Sequence, residues 1–295
     1  MIPTEVVSPN VPRTQIGIDE NGLGPRLGPM IVTAVRLELD PESVPTRRAF
    51  LSAATRAGIG DSKAQSGHGA MAPTEARVLA IMARHLGLAA PTFETFARHV
   101  GLDDELSIRT DCPDGDAPVA CFGHAVDLPA FGAGPTPEDH DAADKLHARG
   151  IRLAGVRVAV VCAKRMNVAR AAGISRFELD LASMVRLAAW LRGEPDSAPV
   201  IAYCGKVGGR ARYASALEKL SPLVGILGET RERSSYAIPR FGEVHFVMDG
   251  DASADRRRKR VPLGPDQEHS CGSTSRTGMF RLLRHMCDPH NATMA

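Results

Sequence analysis

Two short apolar segments near the start of the chain, Gln15 to Asp19 and Met30 to Leu37, are separated only by a loop rich in Gly and Pro. That proximity constrains the fold more than any other feature. Both read as strands, the second rich in Ile, Val and Thr, and neighbours so close in sequence pair as an antiparallel hairpin. After the hairpin the pattern changes period. Helices are expected over Thr46 to Ala57, ending at Gly58, and over Thr74 to Leu86, where Val78, Leu79, Met82 and Leu86 share a face. Further helices are expected at Glu138 to His147, Arg176 to Trp190 and Arg210 to Leu220, with strands at Val156 to Ala163, Ala198 to Cys204, Leu223 to Leu227 and Glu243 to Met248. A hairpin followed by alternating helices and strands predicts an α/β fold, a mixed sheet flanked by helices.

The chain has 295 residues, enough to bury a sizeable core in one large domain or two small ones. Its formal charge of +2 is nearly neutral, so bulk electrostatics point to no nucleic-acid partner, although a local basic patch could serve one. One Trp and three Tyr leave few platforms for stacking bases, which argues against an extended single-strand groove. Cysteines at 112, 121, 162, 204, 271 and 287 show no paired C-x-x-C spacing. With no signal-peptide pattern and no long apolar span, a cytoplasmic protein with reduced thiols and no membrane partner is expected.

The first strand ends in Asp19-Glu20, and Asn21-Gly22-Leu23-Gly24-Pro25 follows. A strand can hold an acid deep in a fold while glycines bring backbone close to a phosphate or sugar. Adjacent side chains on a regular strand point to opposite faces, so Asp19 and Glu20 are expected to share a metal only if the pleat breaks at Glu20. The competing reading is a strand end with two solvated acids and a tight turn. No P-loop and no G-x-G-x-x-G leading into a helix supports a nucleotide-binding α/β enzyme instead.

The stretch Gly17-Ile18-Asp19-Glu20-Asn21-Gly22-Leu23-Gly24-Pro25, continued by Gly28-Pro29 and Ala34-Val35, resembles the opening of type 2 ribonuclease H. Asp61-Ser62-Lys63 is similar to that family's Asp-Ser-Lys motif, and Gly208-Gly209-Arg210 with Tyr213 resembles a segment of a divergent branch. The resemblance implies a ribonuclease H-like sheet in which the first strand is central and the strand entering Cys204 lies beside it, within a domain spanning 14–262. It further implies an endonuclease that cleaves the RNA strand of RNA:DNA hybrids with Mg²⁺ or Mn²⁺. Asp19 and Glu20 would be catalytic metal ligands. Gly22, Leu23 and Gly24 would present backbone to the sugar and phosphate, with Leu23 in place of the usual Arg, and Lys63 and Arg210 would contact the substrate.

The family's third carboxylate falls on Gly205. Neither Cys204 nor Lys206 replaces it as a Mg²⁺ ligand, and Lys206 is expected to compete with the ions. Asp249 and Asp251 are the compensating metal candidates, Asp251 also as a catalytic acid. The family's Ala-Ser-rich final helix is not evident. Arg256 to Arg260 form a basic run that either holds phosphates or is simply solvated. Residues 103–137 read as an insertion and 263–295 as an irregular or disordered tail, through a frame change near Leu263 or through degeneration to a scaffold that binds nucleic acid or protein without turnover.

Overall fold

The computed structural model describes residues 14–21, 29–44, 47–59, 71–89, 92–101, 127–193, 200–207, 210–220, 224–239 and 241–247. Seven strands form one mixed sheet in the order β3-β2-β1-β4-β7-β6-β5. β1 (Thr14–Asn21) pairs antiparallel with β2 (Met30–Leu39), and β2 with β3 (Ile151–Val161). On its other side β1 pairs parallel with β4 (Val200–Gly205), which pairs parallel with β7 (Gly242–Val247). A β5 (Gly225–Glu229) and β6 (Arg233–Ile238) hairpin extends that edge. The hairpin of β1 and β2 and the place of the strand entering Cys204 are as expected; β6 is an addition.

The helices α1 (Arg47–Arg56), α2 (Met71–Leu86), α3 (Phe93–Val100), α4 (Pro137–Ala148), α5 (Ala163–Ala171), α6 (Arg176–Arg192) and α7 (Ala214–Glu218) divide between the two faces. β2 shows why. Its residues Ile31, Val35, Leu37 and Leu39 enter a core with α1 to α4, while Met30, Val32 and Ala34 enter a second core with α6. A strand covered on both faces needs an unbroken apolar run, which Met30-Ile31-Val32-Thr33-Ala34-Val35 supplies.

Local chemistry fixes the helix ends. α6 begins with a capping box in which Ser175 and Glu178 exchange bonds, and α4 with the same device from Thr136 and Asp139, with Pro137 in the first turn. α2 starts at Met71, earlier than expected, because Pro73 then falls in a first turn where its missing N–H leaves no bond unmade. At the start of β7, Gly242 has φ +123°, and a Cβ there would lie 2.2 Å from the Val200 carbonyl oxygen. Only glycine lets β7 come alongside β4 at that point.

Candidate functional site

Asp19 lies near the end of β1 and is buried, and Glu20 beside it is half-buried. The pleat does not break at Glu20: β1 stays paired through Glu20↔Val32 and Asn21↔Ile31. The two carboxylates nevertheless converge. A Cβ placed on Gly205, at the end of β4, would lie 2.7 Å from Asp19 Oδ1 and 3.6 Å from Glu20 Oε2. Glu20 achieves this through its longer side chain at a strand end, not through a change of pleat. The Glu20 backbone N–H also donates to Asp19 Oδ1 at 3.1 Å, holding that oxygen in place.

Gly205 thus sits close against the two acids, with no room for a side chain unless they shift. Any larger residue would press on the Asp19 carboxylate, and an Asp there would add a third carboxyl to the first two.

Lys206 departs from expectation. Its ammonium donates to the carbonyls of Thr230 and Arg231, each at 2.8 Å, and to Ser234 Oγ at 3.3 Å. Those bonds tie it to the turn between β5 and β6, where Glu229 and Glu232 are its charged neighbours, and burial lowers its pKa. Competition with a cation at Asp19 is therefore not its role. Cys204 is buried in the α6-side core, where desolvation and then the charges of Asp180, Asp19 and Glu20 push its thiol pKa far up. It behaves as a small apolar side chain.

The segment around Tyr213 serves structure. The ring is fully buried and stacks on Phe246 with centroids 3.9 Å apart. Its hydroxyl accepts from the Val207 N–H at 3.0 Å, and its own N–H donates to the Tyr236 hydroxyl at 2.8 Å. This pins the chain as it leaves β4. Arg210 places its guanidinium over the Phe177 ring, 4.0 Å from the centroid, and remains exposed, so it can still face a phosphate. Arg212 is exposed and approaches Glu229 at 3.9 Å. Gly22, Leu23, Gly24, Lys63, Asp249, Asp251 and the run Arg256 to Arg260 lie outside the described residues.

Asp180, on α6, is the acidic group the motifs do not mark. It is fully buried, and neither carboxylate oxygen has a hydrogen-bond partner among the described residues. Desolvation, and then the negative charge of Asp19, raise its pKa well above the usual carboxylate range. One signal was available in the sequence: Asp180 stands on the apolar stripe of its helix, three residues after Phe177 and four before Met184.

Among the described residues, no group of three His, Cys, Asp or Glu side chains is placed to hold a metal ion. A cavity of about 340 Å³ opens between α6 and β4, β6 and β7, lined by Met184, Ala188, Cys204, Phe241 and Phe246 among others. Arg192, its charged member, spends Nε on the Phe241 carbonyl at 3.0 Å, so the cavity offers packing space rather than chemistry. No described helix is long and apolar enough to cross a membrane. No family model, curated protein or solved structure matches the chain.

Proposed function

We propose that this chain is a divalent-metal-dependent endonuclease of the type 2 ribonuclease H kind, cleaving the RNA strand of RNA:DNA hybrids with reduced efficiency. The observation that carries the reading is the approach of Asp19 Oδ1 and Glu20 Oε2 to one spot beside Gly205, at the end of the parallel pair β1 and β4. A central first strand with β2 antiparallel on one side and β4 parallel on the other is the arrangement this family reading requires.

The donor set suits Mg²⁺ or Mn²⁺: Asp19 and Glu20 offer hard carboxylate oxygens. Asp19 and Glu20 would hold the ion, which when bound supplies Lewis-acid stabilisation of charge on the attacking and leaving oxygens of a phosphodiester, giving 3′-OH and 5′-phosphate ends. Asp19 is oriented for this by the Glu20 N–H, and burial at the sheet end limits competing water. Arg210 is placed to attract the backbone of the hybrid. Gly205 removes a carboxyl from the set, which weakens the hold on cations.

The same gap favours a second reading, a scaffold that binds nucleic acid without turnover. Cleavage of a labelled RNA:DNA hybrid in Mg²⁺ and in Mn²⁺ separates the two. Endonuclease function predicts that Asp19→Asn loses about 100-fold or more of the activity, in the range of losing a charge-stabilising catalytic group. Equal cleavage by wild type and Asp19→Asn rejects the site. Salt-dependent hybrid binding without cleavage selects the scaffold, and absence of binding at low salt rejects its nucleic-acid form.

A further inference from the structure

The polar face of β4, β7 and β6 gathers groups that the proposed site at Asp19 does not use. Register fixes their arrangement: Ser235 of β6 is paired with His245 of β7, Glu243 stands two residues earlier on β7, Arg233 two residues earlier on β6, and Tyr203 of β4 is paired with His245 from the other side. Spacing by two puts all five side chains on one face. They also lie within hydrogen-bond reach. Ser235 Oγ is 2.8 Å from His245 Nδ1, and His245 Nε2 is 3.0 Å from Glu243 Oε2. Arg233 Nε donates to Ser235 Oγ at 3.1 Å, and its Nη2 stands 3.1 Å from His245 Nδ1.

The chemistry of these groups sets the direction of the bonds. A carboxylate only accepts and a guanidinium only donates, so His245 carries its proton on Nε2, toward Glu243, and the Ser235 hydroxyl, accepting from Arg233, turns its own hydrogen to Nδ1. Burial, and then the charge of Arg233, lower the His245 pKa to about 4, which keeps the imidazole neutral and able to accept a proton. Tyr203 packs its ring 5.4 Å from that of His245 and helps to hold its orientation. His245 is buried, while Ser235 is half-buried and Arg233 and Glu243 are exposed, so the hydroxyl is the end of the relay that a small molecule can reach.

We propose that Ser235, His245 and Glu243 form a centre that hydrolyses carboxylic esters, with Ser235 as nucleophile, His245 as general base and then acid, Glu243 as the positioning residue of the imidazole, and Arg233 facing the oxyanion. The proposal stands without the nuclease reading. Ser235 Oγ bonds to the ester carbonyl carbon as its proton passes to His245 Nδ1, and the carbonyl π pair moves onto the oxygen beside Arg233. That pair then re-forms the C=O, the bond to the alkoxy group breaks, and the alcohol leaves with the proton from His245. Water attacks the acyl-serine by the same route. Its proton passes through His245 to Ser235 Oγ as that bond breaks, and the carboxylic acid is released. Esters suit the centre better than amides, because a weakly basic imidazole works best with a leaving group that departs easily.

The test treats the full chain with a fluorophosphonate probe, locates the labelled residue by peptide mass spectrometry, and follows hydrolysis of p-nitrophenyl butyrate against pH. Label on Ser235 of the wild type and turnover above the buffer rate are expected. Ser235→Ala and His245→Gln should each lose about 100-fold or more in kcat/KM, with Ser43→Ala, at an exposed serine, unchanged. Glu243→Gln should lower kcat at unchanged KM. Arg233→Gln should move the acid limb of the rate profile from about pH 4 up toward the roughly 6.5 of an ordinary histidine. Should the His245 variant fold poorly, the label on the wild-type chain decides by itself. Label on another residue, no label at all, or wild-type turnover in Ser235→Ala overturns the proposal.

Discussion

The two halves of the sheet are built differently. β2 and β3 contribute to two cores, with helices on both faces, whereas β4, β7 and β6 bury one face against α6 and α7 and carry Tyr203, Glu243, His245, Arg233 and Ser235 on the other. The first half is specified by apolar content, the second by alternation. The difference teaches where chemistry can sit: Asp19 and Glu20 stand at the end of β1, at the seam between the strands buried on both sides and those with a polar face.

Large-to-small substitutions should expose this contrast first. In β7, Phe246→Ala is expected to cost about 3–5 kcal/mol, since Phe246 is fully buried and stacked on Tyr213, while its neighbour Val247→Ala should cost much less. In β2 no such alternation is expected: Ile31→Ala and Val32→Ala, on opposite faces, should each cost about 2–4 kcal/mol. Urea unfolding of the four variants measures the pattern, and equal losses at 246 and 247 would erase the distinction.

Protonation offers a second probe. His245 is buried on the polar face, where it contacts Ser235 and Arg233 and lies 3.0 Å from Glu243. Burial, and then the charge of Arg233, lower its pKa to about 4. The folded state therefore binds the His245 proton less readily than the unfolded chain, whose His titrates near 6.5. Its stabilising contribution is full above pH 6.5 and is lost as pH falls toward 4, on the order of 2–3 kcal/mol. Chemical denaturation across that range should show His245→Gln losing this part of the acid sensitivity.

The seam itself should respond in the opposite sense. Burial and the charge of Asp19 raise the Asp180 pKa to about 8, so stability is lost as pH rises from about 4, where the unfolded carboxyl ionises, to about 8. Asp180→Asn in metal-free buffer is expected to gain about 1–3 kcal/mol at pH 8 and little at pH 4, read from Tm against pH. The smallest effect belongs to the outer edge: Leu227→Ser, at a half-exposed position of β5, should stay within about 0.5 kcal/mol.

Much of this architecture was legible. β2 announced itself through its apolar, β-branched run and β1 through its Ile-Gly-Ile core close before it, and α6 because its capping residues and apolar stripe agree. α5 went unread because only Met166 and Ala169 are buried and its cap is Cys162, a residue that rarely caps. β6 was missed because Arg233-Ser234-Ser235-Tyr236 is polar, although Ser234 and Tyr236 face inward. α7 is shorter than expected, beginning at Ala214 because the Tyr213 N–H is committed to the Tyr236 hydroxyl. At the site, Asp19 and Glu20 were marked by their motif. Asp180 carries no motif; its place on the apolar stripe of α6, between Phe177 and Met184, was the one local sign of its burial.

The parallel pairing of β1 with β4 joins Gln15 to Ile201 and Ile18 to Cys204. Most of the polypeptide must therefore be synthesised before this ladder can close, and loop-closure entropy delays it further. A nascent or truncated chain ending before β4 would display Asp19 without its companion strand. The meeting of Asp19 with Gly205 is thus a late event in the life of the molecule, and a stalled translation product would lack it.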